Sequence, residues 1–139
     1  MAAPGWGANK KGPGSYLVYI GTYTNHGKSQ GIYSYRFQPA TGELTQMGLA
    51  VATPSPTFLA VSPDNRFLYA ANEVSNFQGK RAGSISAFSI NAATGQLTLL
   101  NAVSSVGAGP CYVSVDKTGK CVLAANYGSG SIAAYQVKA

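Results

Sequence analysis

An internal repeat constrains this chain more than any other feature of its sequence. Residues 56–62, PTFLAVS, match residues 110–116, PCYVSVD, at a spacing of 54 positions. Residues 66–72, RFLYAAN, match residues 120–126, KCVLAAN, at the same spacing. Self-similarity at a fixed spacing indicates a fold that is assembled from repeated structural units rather than from one irregular core.

Two further matches give the repeat its size. Residues 39–45, PATGELT, return as residues 92–98, AATGQLT, 53 positions later, and a GSI triplet at Gly83 returns at Gly130, 47 positions later. The matching segments are short, β-branched or aromatic, and bounded by turn residues, and none has the sustained periodicity of a helix. A strand-built period of this size is typical of a four-stranded blade of a β-propeller. The sequence therefore predicts an all-β chain of antiparallel four-stranded blades.

The predicted strands divide the chain into about two and a half blades, which is a partial ring. Residues 16–50 are predicted to form a partial blade without its innermost strand, residues 51–103 a full blade, and residues 104–139 a partial blade without its outermost strand. Residues 1–15 are predicted to be a flexible leader, because they are rich in Gly and Pro and lack the apolar core of a secretory signal. Since propellers close with roughly four to eight blades, we expect the remaining blades, or other copies of the chain, to cover the open edges.

Charge and hydropathy argue against two classes of partner. Ten Lys and Arg residues against four Asp and Glu residues give a formal net charge of +6. The cations are scattered, with the densest groups at residues 10–11 and 80–81, so we expect no nucleic-acid partner. No apolar run is long enough to span a bilayer, so we expect no membrane partner.

The two cysteines give a weak indication of compartment. Cys111 and Cys121 flank a predicted hairpin turn, and this arrangement leaves them roughly 13 Å apart along the strand, which is too far for a disulfide. Two free thiols fit a reducing environment. We therefore expect a cytoplasmic location.

Three segments resemble the lactonase family of 6-phosphogluconolactonase-like, seven-bladed propellers. YIGTYT at residues 19–24, followed by GIYSY at residues 31–35, resembles the opening of those proteins. Residues 58–73 resemble their next blade, residues 109–128 resemble the third segment, and the resemblance covers residues 16–137. It implies that this chain is the N-terminal portion of a protein more than twice as long. It also implies hydrolysis of 6-phosphogluconolactone or, as in a related branch, cycloisomerisation of muconate to a lactone.

The candidate site lies where loops gather at one end of the blades. In a four-stranded meander, the loop between the second and third strands and the crossover to the next blade leave from the same end. Residues 21–30, 72–82 and 126–129 are therefore expected to share one face with residues 51–56 and 104–110, around the central channel. The candidate catalytic residues are Glu73 and His26, and the candidate substrate-binding residues are Arg81, Lys80, Asn72, Asn126, Tyr112 and Tyr127.

Each candidate base has an alternative interpretation. Glu73 directly follows a predicted strand, where it either activates water or pairs locally with Lys80 or Arg81. His26 is the only histidine, and it is either a general base or a surface residue of a polar loop.

The candidate binding residues also have two interpretations each. Lys80 and Arg81 either meet a phosphate or belong to a solvated loop. Asn72 and Asn126 hold matching repeat positions, so they either close strand ends or donate to an oxyanion. Tyr112 either lines the channel or packs, and relatives of the family often carry His at its position, which argues against an acid–base role there.

The resemblance, together with the polar loop face, implies a lactone hydrolase that acts by water activation. Lactone hydrolysis needs a base for the water and donors for the tetrahedral oxyanion, and a 6-phospho substrate also needs a cation. With one His and two separated Cys, no metal constellation or Ser-His-Asp set is visible, and we expect no cofactor. The predicted substrate is a small sugar lactone, most specifically 6-phosphogluconolactone of the pentose phosphate pathway. The alternatives are a non-enzymatic propeller fragment that binds a partner or self-assembles, and a cycloisomerase or other lactonase.

Overall fold

The computed structural model describes residues 14–25 and 27–138, and these residues form ten β-strands. The strands are β1 (Tyr16–Ile20), β2 (Gly31–Gln38), β3 (Glu43–Ala52), β4 (Pro56–Val61), β5 (Phe67–Asn72), β6 (Ser84–Ile90), β7 (Leu97–Ser104), β8 (Pro110–Val115), β9 (Cys121–Asn126) and β10 (Ser131–Gln136). Within the described part, the helical content is one 3₁₀ turn at Tyr127–Ser129, and no helix there has the length and apolar character to cross a bilayer. The predicted leader, residues 1–15, falls almost wholly outside the described residues.

The strands form three antiparallel sheets in which each strand pairs with the next strand of the chain. β1 to β3 form the first blade, β4 to β7 the four-stranded second blade, and β8 to β10 the third blade. β4 and β8 lie beside each other, as the innermost strands of neighbouring blades do. The prediction of an all-β chain of antiparallel propeller blades is therefore confirmed.

The hydrophobic cores lie between the blades, and β5 contributes to two of them. Leu68 is buried in a cluster with Ile32 of the first blade, whereas Tyr69 is buried in a cluster with Val122 of the third blade. Successive side chains of a strand point to opposite faces, so a strand that is covered on both sides has no polar face. This explains why residues 67–71, FLYAA, are apolar without alternation.

The face of the third blade that points away from the second is apolar and exposed. Leu123 and Ile132 hold the repeat positions of Tyr69 and Ile85, which are 6% and 3% exposed. Leu123 and Ile132 themselves are 46% and 83% exposed. These repeat positions are therefore buried between the second and third blades but exposed on the outer face of the third blade. An exposed apolar face of this kind is one that a further sheet can cover.

The blade end opposite the candidate site is closed by tight turns. In the turn between β8 and β9, the Asp116 carboxylate accepts hydrogen bonds from the N–H groups of Thr118, Lys120 and Cys121 and from the Thr118 hydroxyl. The hydroxyl of Thr118, followed by the backbone donors, lowers the pKa of Asp116 to about 2. This carboxylate thus serves the turn, at the end away from the gathered loops.

Candidate functional site

The loops after the second strands and the crossovers between blades meet at one end of the molecule. The Thr24 hydroxyl accepts a hydrogen bond from the Ser55 N–H at 3.0 Å, and the Ser55 carbonyl accepts one from the Glu73 N–H at 2.9 Å. At the next blade boundary, the Gly83 N–H donates to the Gly107 carbonyl at 3.1 Å. These contacts form a continuous face of loops from the first blade to the third.

The innermost strands of the second and third blades each carry a β-bulge near the loop face. In the pairing of β4 with β5, Thr57 is an extra residue between the partners of Asn72 and Ala71. The pairing of β8 with β9 has the same irregularity at Cys111, an exposed free thiol. A bulge changes the direction of the side chain that it carries. The side chain of Thr57 therefore reaches the polar group that follows β5 instead of continuing the alternation of its strand.

Glu73 is that polar group, and it is held by two hydroxyls. Its Oε2 atom accepts hydrogen bonds from the Tyr23 hydroxyl at 2.7 Å and from the Thr57 hydroxyl at 2.9 Å. The hydrogen bond to Glu73 raises the pKa of the Tyr23 phenol above its ordinary value of 10.0. In the described structure no hydrogen bond uses the Oε1 atom of this half-buried carboxylate, so Oε1 is the oxygen that a water or substrate can reach.

Lys80 and Arg81 occupy a different part of the loop face. They follow a tight turn at residues 78–79, where both residues have positive φ. Both side chains are exposed and line a concave surface with Ser104, at the end of the outermost strand β7. In the described part of the chain neither cation forms an ion pair with Glu73. The local pairing that the sequence left open is therefore absent from the described contacts.

The amide of Asn72 is fully used in joining the second strand to the crossover before it. Its Nδ2 atom donates to the Thr53 hydroxyl at 3.0 Å and to the Pro54 carbonyl at 2.6 Å, and its Oδ1 atom accepts from the Ser86 hydroxyl at 2.6 Å. Asn126 reaches the next crossover in the same way, with its Nδ2 atom 2.9 Å from a backbone carbonyl. Both side chains are buried, which favours the interpretation that they close strand ends.

The remaining candidates differ in how far the structure defines them. Tyr112 is exposed near the channel and packs against Phe58, its counterpart in the second blade, with ring centroids 4.6 Å apart. Tyr127 is exposed on the turn that follows β9. His26 lies outside the described residues, so its role as a base stays a prediction.

Sequence reasoning placed Tyr23 on the loop face without giving it a role and did not consider Thr57, although both residues bind Glu73. The repeat held the information: when the strands are aligned by their pairing, Tyr23, Glu73 and Tyr127 occupy one position in three successive blades. Thr57 and Cys111 likewise share a position. The repeat does not predict that the Tyr23 side chain contacts a residue of the next blade, because side-chain direction in a loop does not follow from strand periodicity.

The fold and the loop face define a class of protein, a β-propeller whose polar groups gather at one end of its blades. A family model described as "Lactonase, 7-bladed beta-propeller" matches residues 17–139. The chain belongs to this lactonase family.

Individual relatives agree with that assignment. The chain is similar to the 6-phosphogluconolactonase of Bacillus subtilis, with 36% identity over 123 residues, which is 88% of this chain and 34% of the relative. It is similar to the crystal structure of a Bacteroides uniformis protein, with a TM-score of 0.82 and 35% identity over 91% of this chain and 34% of that one. The periplasmic gluconolactonase of Pseudomonas aeruginosa is also similar, with a TM-score of 0.77 and 31% identity over 90% and 35% of the two chains. The chain thus spans about a third of the length of the relatives it matches.

Proposed function

We propose that this chain contributes to the hydrolysis of a sugar lactone, with Glu73 as the base that activates water. The observation that carries the proposal is the arrangement of the Glu73 carboxylate, in which two hydroxyls bind Oε2 and leave Oε1 for a water molecule. A base within hydrogen-bond reach of its water is the first geometric requirement of general base catalysis. The lactonase family and relatives named as lactonases support the same class of reaction.

The proposed reaction balances without a cofactor. Glu73 takes a proton from water while the water oxygen bonds to the carbonyl carbon of the lactone, and the carbonyl electrons move to the oxygen. Collapse of this tetrahedral oxyanion re-forms the carbonyl and breaks the bond to the ring oxygen, which takes the proton back from Glu73. The exposed hydroxyls of Tyr112 and Tyr127 are the proposed donors for the oxyanion, because the Asn72 amide has no hydrogen left to donate.

The proposed substrate is 6-phosphogluconolactone, and the proposed setting is the pentose phosphate pathway in the cytoplasm. The name of the Bacillus subtilis relative supports this choice, and so do two cations on the loop face that form no ion pair within the described part of the chain. Lys80 and Arg81 are the proposed contacts to the phosphate, since charge-assisted hydrogen bonds bind phosphate strongly. A periplasmic relative exists as well, so the location stays a prediction.

The direct test is lactone hydrolysis compared with spontaneous hydrolysis under the same conditions. We expect the wild-type chain to exceed the spontaneous rate and Glu73→Gln to return to it, while folding is unchanged. Lys80→Met and Arg81→Met are expected to raise KM for 6-phosphogluconolactone but not for gluconolactone, with Lys117→Met, at the opposite end, as the matched control. A folded wild-type chain at the spontaneous rate would remove the activity, and turnover of muconate instead would favour a cycloisomerase.

The second candidate is a propeller fragment that binds a partner or self-assembles without catalysis. The exposed apolar face of the third blade, with Ile132 at its edge, favours this possibility. Sedimentation of the wild-type chain and of Ile132→Lys distinguishes the two. Assembly would be favoured over catalysis if the wild type forms a closed oligomer without lactone turnover and Ile132→Lys is monomeric.

A further inference from the structure

The contact between Tyr23 and Glu73 joins two blades. Tyr23 lies on the loop that follows β1 in the first blade, and Glu73 follows β5 in the second, 50 positions along the chain. Their oxygen atoms are 2.7 Å apart, a normal distance for a phenol that donates to a carboxylate. The hydrogen-bonded group around Glu73 is therefore built by residues of two blades.

The loop that carries Tyr23 is fixed at both sides of the residue. Before it, Gly21 runs so close to the second blade that an added Cβ would lie 1.9 Å from the Pro56 carbonyl oxygen. After it, Thr24 exchanges hydrogen bonds with the buried Ser55, at 3.0 Å to the Ser55 N–H and 3.3 Å from the Thr24 N–H to the Ser55 hydroxyl. The phenol is thus delivered to Glu73 by an ordered backbone, not by a free loop.

Both donors bind the same oxygen of Glu73. Tyr23 and Thr57 donate to Oε2, and the Thr57 hydroxyl reaches it because of the bulge in β4. Two donors at one oxygen hold the carboxylate plane in one orientation. They also make Oε1 the free acceptor, so the direction in which the carboxylate can take a proton is set by residues on two blades.

We propose that Tyr23 is a positioning residue for Glu73, acting across the blade boundary together with Thr57 to fix the direction of the carboxylate. This inference rests on the proposed lactone hydrolysis, in which Glu73 is the base. Tyr23 acts through Glu73, and its own proton stays on the phenol during the reaction.

The first test measures the coupling without catalysis. The ring carbon resonances of ¹³C-labelled tyrosines are followed by NMR as pH rises, and Tyr23→Phe identifies the Tyr23 signal. Because the Glu73 hydrogen bond raises the Tyr23 pKa, Glu73→Gln is expected to lower that midpoint toward 10.0. The same Tyr23 midpoint in Glu73→Gln and in the wild type would overturn the proposal.

The second test measures the consequence for the reaction. Tyr23→Phe and Thr57→Val each remove one donor, and each is expected to lower kcat about tenfold with little change in KM. Thr57→Ser keeps the hydroxyl and is expected to retain activity, and Tyr16→Phe is the matched tyrosine control.

The two readouts separate this inference from the proposed function. If the Tyr23 midpoint responds to Glu73→Gln but the wild-type chain shows no lactone turnover, the hydrolysis is refuted. The contact that orients Glu73 is then retained. Turnover that depends on Glu73, with an unchanged kcat in Tyr23→Phe, would retain the hydrolysis and refute the positioning role.

Discussion

Asn126 holds in the third blade the position that Asn72 holds in the second, yet its buried Oδ1 atom lacks the hydroxyl partner that Asn72 has. In the second blade the Ser86 hydroxyl donates to Asn72 at 2.6 Å. The repeat position of Ser86 in the third blade is occupied by Ala133, and the Oδ1 atom of Asn126 has no hydrogen-bond partner among the described residues. One residue difference between two copies of a blade therefore leaves one buried acceptor unsatisfied.

Ala133→Ser is expected to stabilise the chain. A serine there would offer Asn126 the hydrogen bond that Ser86 gives to Asn72, and a satisfied buried acceptor is worth about 0.5–1.5 kcal/mol. Urea unfolding measures the free energy of unfolding. Ala134→Ser, on the opposite face of β10, is the control and should leave it unchanged. An equal gain in both variants would show that a serine in this strand, and not the Asn126 contact, is responsible.

Asn72→Ala is expected to be among the most destabilising single changes in the second blade. It removes three hydrogen bonds and leaves the Pro54 carbonyl and the Ser86 hydroxyl without their partner, at a cost of about 2–4 kcal/mol. Asn126→Ala should cost less, because its Oδ1 atom has no bond to lose. Urea unfolding of both variants checks the order. A large loss of activity in Asn72→Ala without a loss of stability would instead support oxyanion donation.

Acid stability should depend on the turn that contains Asp116. The Thr118 hydroxyl lowers the pKa of Asp116 from 3.8 to about 2. Because the folded-state pKa lies below the unfolded one, the contribution to stability is complete above pH ~4 and is lost as the pH falls toward ~2. Thr118→Val should move the acid unfolding midpoint to higher pH and should also lower stability at neutral pH, with a difference from the wild type that disappears as the pH falls below ~2. Circular dichroism during an acid titration measures it, and an unmoved midpoint would count against the turn.

Gly21→Ala is expected to destabilise the boundary between the first two blades. The new Cβ would meet the Pro56 carbonyl oxygen, so the backbone must shift, at a cost of about 1–3 kcal/mol. Thermal unfolding measures the loss, and Gly14→Ala is the matched control because an added Cβ there meets nothing within 4 Å. The shift should also weaken the Tyr23 contact to Glu73, visible as a lower Tyr23 midpoint in the NMR titration. Full stability in Gly21→Ala would mean that the boundary is looser than described.

The blades were predictable because their cause is local and repeated. Short apolar segments bounded by turn residues recur at a blade-sized spacing, and meander topology then places the loops after β1, β5 and β9 at one end. The prediction of Glu73 at this end followed from the same logic, since a residue directly after the second strand has nowhere else to lie.

The partners of Glu73 were not predictable by that logic. Thr57 reaches it only through a bulge, which breaks the two-residue alternation on which strand reasoning depends. Tyr23 reaches it only because Gly21 lets two blades approach closely, and a close approach is a tertiary property. Lys80 and Arg81 were natural partners for a nearby acid by sequence distance, but their tight turn carries them toward the outermost strand.

The alternation of Tyr23, Glu73 and Tyr127 along successive blades limits how such a chain can be copied. The donor Tyr23 and the acceptor Glu73 lie on neighbouring blades. Duplicating one of these blades would therefore place two phenols, or two carboxylates, next to each other. The smallest module that carries the contact with it is the pair formed by the first two blades.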